Sequence, residues 1–285
     1  MKVKLTKKYP KRIIVVGCSF THWEWTTWIN IIAHEFPKAE YIDYSRAGSG
    51  NFGIASAINQ LDAKLNFNKN DLVFVQWSSL ARHDTLHYRN KKPEWNYSGH
   101  MSQEELRHID LNEHILKQLV VMHATQEMLL GKTNCHFLKM LPIRQLDQYE
   151  HEYGWEGLVS EYNTLMSLFQ PTLDKMISPS FYEALWNNDM KLRQAQLKEI
   201  HPWLTDYHPL PSEHLKYVET VFDFDLKQET KDKVHDIHKD VVRFINHWYS
   251  THDEHSWKGP QHLAPHRDKW IIYFPQNNYV PGVII

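Results

Sequence analysis

Cysteine is nearly absent: Cys18 and Cys135 are the only two in 285 residues. A disulfide scaffold is therefore excluded, and nothing points to an oxidising compartment. An excess of one charge is also lacking, with 32 Lys and Arg against 34 Asp and Glu. That balance gives no net basic face for nucleic acid or an anionic membrane. The one basic cluster (Lys2, Lys4, Lys7, Lys8, Lys11, Arg12) leads into the first strand and reads as solvated. No apolar run approaches the length of a membrane span, and the N-terminus lacks the charged, apolar, small-residue order of a secretion signal. A cytoplasmic protein is expected, or a phage-encoded one released without a signal peptide. Among 20 His there is no His-Glu-x-x-His spacing, and the two Cys form no Cys-x-x-Cys. His22, His201, His208 and His214 could approach one another in a fold, but no metal and no cofactor is expected.

What is present is an ordinary globular composition, 42% hydrophobic and 23% charged, enough for one sizeable core with or without an appendage. Aromatics reach 13%, with 11 Trp, which fill cores and can also line a carbohydrate-facing cleft. The continuous apolar run at 12–17 predicts a buried parallel strand. Residues 23–36 have helical period, with Trp25, Trp28, Ile29, Ile32 and Phe36 on one face, so Ser19 falls at a strand-to-helix junction. Strands are predicted over 41–44, 71–77 and 135–141, with a helix ending near 65. A long helix is expected over 102–130, opened by Ser102-Gln-Glu-Glu105 in the manner of a capping box and stopping before Gly131. Helices over 211–222 and 228–249 and a final strand over 270–274 follow. Alternating strands and helices imply a mainly parallel sheet with helices on both faces.

Three short segments carry polar groups to the ends of these elements. Gly17-Cys18-Ser19-Phe20 puts a hydroxyl at the end of the first strand, where α/β sheets bind ligands. Thr21 stands where a nucleophile elbow has its second Gly, which disfavours an α/β-hydrolase. Serine is equally a common helix N-cap. Ala47-Gly48-Ser49-Gly50-Asn51 can present backbone N–H groups to an anion, or serve only as a loop before a helix. Asp206-Tyr207-His208-Pro209 sets a carboxylate beside an imidazole, as a general base needs, though in a His-rich chain such a pair is also an ordinary polar loop.

Together and in this order, the three segments resemble three of the four sequence blocks of the SGNH/GDSL hydrolase superfamily. The resemblance spans about residues 12–222 and is carried by the blocks alone. It implies a flavodoxin-like, three-layer α/β/α sandwich with a mainly parallel sheet of about five strands. It also implies Ser19 as nucleophile and oxyanion donor, Gly50 as a further oxyanion donor, and Asp206 and His208 as the rest of a triad. Two departures stand out. The third block of the family supplies an Asn after a strand, whereas here Trp77 is followed by Ser78-Ser79-Leu80-Ala81-Arg82. Ser78 or Asn51 is then the candidate for the third oxyanion donor. Losing one such donor typically lowers a rate by about 10²–10³. Asp206 also precedes His208 by two residues rather than three, a spacing similar to that of SGNH-like O-acetyltransferases.

The expected organisation is an SGNH-like domain over 1–225 with a helical insertion at about 143–204, and a C-terminal helix and tail over 226–285 packed on it. The expected activity is ester hydrolysis, with a small acyl group on a carbohydrate as substrate. Trp77 and Arg82 are the substrate-binding candidates, Arg82 for a carboxylate or phosphate if it is not held in a structural ion pair. The alternatives are an O-acyltransferase, and a binding or structural protein that keeps the fold with weak catalysis.

Overall fold

The computed structural model describes residues 2–5, 9–89, 92–100, 108–141, 159–177, 179–187, 190–200, 208–251 and 263–276. Its strands are β1 (Val3–Lys4), β2 (Arg12–Val16), β3 (Glu40–Asp43), β4 (Asp71–Trp77), β5 (Arg82–Arg89), β6 (Lys92–His100), β7 (Asn134–Lys139) and β8 (Phe222–Asp223). Its helices are α1 (Trp28–His34), α2 (Asn51–Leu65), α3 (Leu111–Lys132), α4 (Val159–Leu168), α5 (Gln170–Asp174), α6 (Phe181–Trp186), α7 (Met190–Ile200), α8 (Pro211–Val221), α9 (Gln228–Thr251) and α10 (Arg267–Trp270).

The central sheet is parallel throughout, in the order β3-β2-β4-β7. Every residue of β2 and β4 is buried, which is why both read as continuous apolar runs. Alternate residues face opposite layers. Ile13, Val15, Leu72 and Phe74 pack with Trp28 and Ile32 of α1, Tyr217 of α8 and Val234 of α9. Ile14, Val16, Val73 and Val75 pack with Ile54 and Ile58 of α2 and Ile115 and Leu119 of α3. Two apolar clusters on the two faces make this a three-layer α/β/α fold. Among the described residues four strands form the sheet, and beyond β7 a parallel bridge, Phe137 to Met176, continues it. At the amino edge, Arg12 Nε and Nη2 grip Asp71 at 2.8 and 2.6 Å, binding β2 to β4.

Several elements differ from expectation. The segment after Arg82 is an antiparallel hairpin, β5 on β6, in a separate two-stranded sheet. Helix α3 starts at Leu111, because Asp110 accepts from the N–H groups of Asn112 and Glu113, and it runs through Gly131 to Lys132. The tail forms no strand at 270–274; it makes one turn of 3-10 helix (Ala264–His266) and then α10. Those residues are instead stitched to the loop before α1, where Thr26 N and Oγ1 both donate to Trp270 O at 2.7 Å. Among the described residues, no helix is long and apolar enough to cross a membrane.

Candidate active site

From β2 the chain runs outward to β3, then returns across β2 to β4, so its direction reverses between β2 and β4. Ligands of open α/β sheets bind beyond the carboxyl ends of the strands at such a reversal. Ser19 follows β2 there, and Ser78 follows β4. The chain turns sharply after Gly17, where an added Cβ would meet Thr21 Oγ1 and Gln76 Cβ within 3.0 Å. Thr21 N and His22 N both donate to Cys18 O, at 3.0 and 3.1 Å, closing a turn around Ser19. The Thr21 hydroxyl fixes that turn to the Gln76 side-chain oxygen. Ser19 is buried, and among the described residues its hydroxyl has no hydrogen-bond partner. Helix α1 begins only at Trp28, so Ser19 lies in a turn and not at a helix N-terminus, contrary to expectation. Trp23 and Trp25 belong to that loop and have partners far along the chain.

Those partners include His208. Its imidazole stacks on Trp23 with ring centroids 3.4 Å apart and meets the Phe20 ring edge-on at 5.7 Å. Trp25 Nε1 donates to Pro209 O at 2.8 Å, and Arg193, itself paired with Glu213 at 2.6 Å, donates to His208 O at 2.8 Å. The 208–210 segment and the loop after Ser19 are thus one packed unit. Beside it His214 is buried, and burial first, with the neighbouring His208 and Arg193 groups adding to it, pushes its pKa down to about 3. Asp206 lies outside the described residues. Among the described residues no hydrogen bond joins Ser19 Oγ to the His208 ring.

The glycine loop is held differently from what the resemblance implies. Gly50 N donates to Asp84 Oδ1 at 2.7 Å, and Gly53 N to Asp84 Oδ2 at 2.8 Å. The N-terminus of α2 is thereby occupied by a carboxylate of the chain itself, which suits the positive end of a helix. Burial raises the Asp84 pKa, opposed by those two N–H groups. Arg82 Nη1 donates to Ser49 O at 2.9 Å, so Arg82 and Asp84 clamp the two sides of one peptide group. Gly50 N–H therefore has an acceptor already. Asn51 is fully buried and spans two elements: its Oδ1 accepts from Ser78 N at 2.8 Å and its Nδ2 donates to Gln118 Oε1 at 2.8 Å. The Ser78 hydroxyl is buried without a partner among the described residues. Trp77 is fully buried in the core between the sheet and α2 and α3, away from any cleft surface.

No family model matches the chain, and no curated protein does. Among solved structures it is similar to a member of the lipolytic G-D-S-L family from Veillonella parvula, with 14% identity and a TM-score of 0.39 over 73% of this chain and 94% of that one. It is also similar to protein YxiM from Bacillus subtilis, with 14% identity and a TM-score of 0.26 over 59% of this chain and 42% of that one. Likenesses of this size leave each residue's role to the chain's own geometry.

Two further features, a tie through His22 and a cleft, were not read from the sequence. His22 Nδ1 lies 2.9 Å from Asp43 Oδ2, and Arg267 Nη2 lies 2.7 Å from His22 Nε2. A guanidinium only donates, so Nε2 accepts and Nδ1–H is directed to Asp43. The nitrogen a base would use is taken, and His22 serves as a joint between the tail and the Ser19 turn. A cleft of about 450 Å³ lies between α2, the hairpin and α3, lined by Phe52, Asp84, Trp95, His108, Glu113 and His114. Nothing in the local sequence marks Asp84 or this cleft, because both depend on the hairpin folding back onto α2.

Proposed function

We propose that the chain is a serine ester hydrolase with Ser19 as nucleophile and His208 as its base. The supporting observation is the stacking of His208 on Trp23, which holds an imidazole against the turn that carries Ser19 at the reversal point of the sheet. In this reading His208 takes the Ser19 proton as Ser19 Oγ bonds to the ester carbonyl carbon. The alcohol leaves with that proton, and water releases the acyl group from Ser19. Asp206 is proposed to orient His208. The Ser19 N–H is the proposed first oxyanion donor, Ser78 Oγ a second, and Gly50 N–H joins them only when Asp84 releases it. Asn51 acts through Ser78, whose backbone it holds. A small acyl group on a carbohydrate remains the proposed substrate, with the Trp95 and Phe52 cleft offering an apolar wall for a sugar ring.

The test is labelling of the full chain by a fluorophosphonate probe, with p-nitrophenyl acetate turnover alongside. Ser19 is expected to carry the label, and Ser19→Ala and His208→Ala to lose both label and turnover. Robust turnover by Ser19→Ala would sink the assignment. Product analysis with a sugar acceptor present separates a transferase from a hydrolase.

A further inference from the structure

The carboxyl edge of the sheet holds more hydrogen-bond donors than its own acceptors satisfy. Arg82 lies there with only 7% of its surface exposed. Its Nη1 donates to Ser49 O, and its Nη2 faces the Met140 thioether 3.9 Å away, a weak acceptor. Its Nε–H is buried and has no partner among the described residues. The nearby Asp84 carboxylate is spent on the N–H groups of Gly50 and Gly53, so it acts on Arg82 through space and leaves the Nε and Nη2 edge of the guanidinium without an oxygen acceptor among the described residues. Gln76 Nε2 and Ser78 Oγ, at the end of β4, are likewise buried without partners among the described residues.

Arg82 reaches Cys18, the residue before the proposed nucleophile, through Met140, and Gln76 reaches it directly. Cys18 Sγ lies 3.3 Å from Met140 Sδ and 3.9 Å from Gln76 Oε1. A buried guanidinium edge without an acceptor is unfavourable, and a bound anion supplies one. Nε and Nη2 form one edge of the planar guanidinium, whose spacing matches two oxygens of one carboxylate or phosphate. We infer that this edge of Arg82 receives an anionic group of the substrate, so that the ester cleaved at Ser19 carries a carboxylate or phosphate. This rests on the hydrolase reading above and narrows its substrate class. Gln76 Nε2 and Ser78 Oγ are placed on the same strand end to donate to that ligand.

The experiment compares p-nitrophenyl butyrate with mono-p-nitrophenyl succinate, which share a leaving group and chain length and differ by a methyl against a carboxylate. The wild-type ratio of kcat/KM, succinate over butyrate, is expected to exceed about 10, the size of a charge-assisted hydrogen bond. It should fall towards 1 in Arg82→Gln and be partly retained in Arg82→Lys. A ratio cancels any loss of folded protein. A wild-type ratio near 1, or a high ratio unchanged in both variants, overturns the inference. If neither ester is turned over and Ser19 takes no label, the hydrolase reading falls by itself. The anion site is then judged by thermal shift: stabilisation of the wild type by succinate or inorganic phosphate, over chloride at equal ionic strength, and its loss in Arg82→Gln, supports it. Absence of stabilisation by both anions overturns it, and a response to only one identifies the anionic group.

Discussion

The imidazole of His208 lies face to face on the indole of Trp23, with ring centroids 3.4 Å apart and planes 16° from parallel. The two residues are remote in sequence, and in the proposed mechanism the stack sets where the imidazole stands relative to Ser19. Trp23→Leu is therefore expected to lower kcat by roughly 10²-fold with little change in KM, since small misplacements of a reacting group have effects of that size. Trp23→Phe keeps a stacking ring and should retain much of the rate. Steady-state kinetics on a p-nitrophenyl ester checks both, and equal loss in the two variants would argue against a positioning role.

The Gly50 position predicts a coupled effect. Its φ is −94°, an ordinary extended value, so alanine there is resisted by space and not by backbone strain. The added Cβ would meet the Asp84 carboxyl group at 2.8–3.0 Å. Gly50→Ala should lower stability by about 1–3 kcal/mol, as overpacking does. In an Asp84→Ala background much of that loss should vanish, giving a favourable coupling in a urea-denaturation cycle. Additive losses would mean that the two groups do not press on each other.

Acid stability follows from buried imidazoles. Burial pushes His214 down to about 3 and His136 to about 4. In the unfolded chain both take a proton near pH 6.5, while the folded protein resists it, so stability is lost as pH falls from about 6.5 towards 3–4. Asp84 works in the opposite sense, its raised pKa relieving a burial cost once it protonates. Thermal unfolding should show a falling midpoint across that window, with a shallower slope in His214→Phe. An unchanged slope would mean that His214 does not contribute.

At the other edge of the sheet, Asp71 is fully buried and accepts from Arg12 through two short bonds. Asp71→Ala strands the guanidinium and should lower stability by about 3–5 kcal/mol. Chemical denaturation measures it. Because the pair sits at the amino ends of β2 and β4, opposite Ser19, the folded variant should keep the wild-type KM.

The parts of the fold that could be read from sequence are those whose signal is local. Residues 12–16 and 71–77 are apolar throughout because both faces of those strands are covered, and Pro211 opens α8 where expected. Where long-range contacts decide, the local pattern misled. Trp23 and Trp25 extend the helical period of α1, yet one ring answers to His208 and the other to Pro209. The hairpin hides in a polar stretch, since Arg82 and Asp84 are turned inward to grip the Ser49–Gly50 peptide instead of filling a core. Residues 270–274 look strand-like, but Thr26 supplies a side-chain acceptor where a ladder would need backbone. Of the candidate site, Ser19 and His208 were visible as positions; the carboxylate on Gly50 was not.

The stitch between the tail and the Ser19 turn has a consequence for biosynthesis. Among the described residues Thr26 bonds to Trp270 and Ile272, and His22 finds Arg267 beside them. While the chain is being made, the turn emerges 245 residues before Arg267, its partner through His22. Contacts of such sequence separation form late. A ribosome-bound chain halted before residue 267 would hold Ser19 without these supports, so reactivity at Ser19 should switch on only after residues 267–272 have emerged.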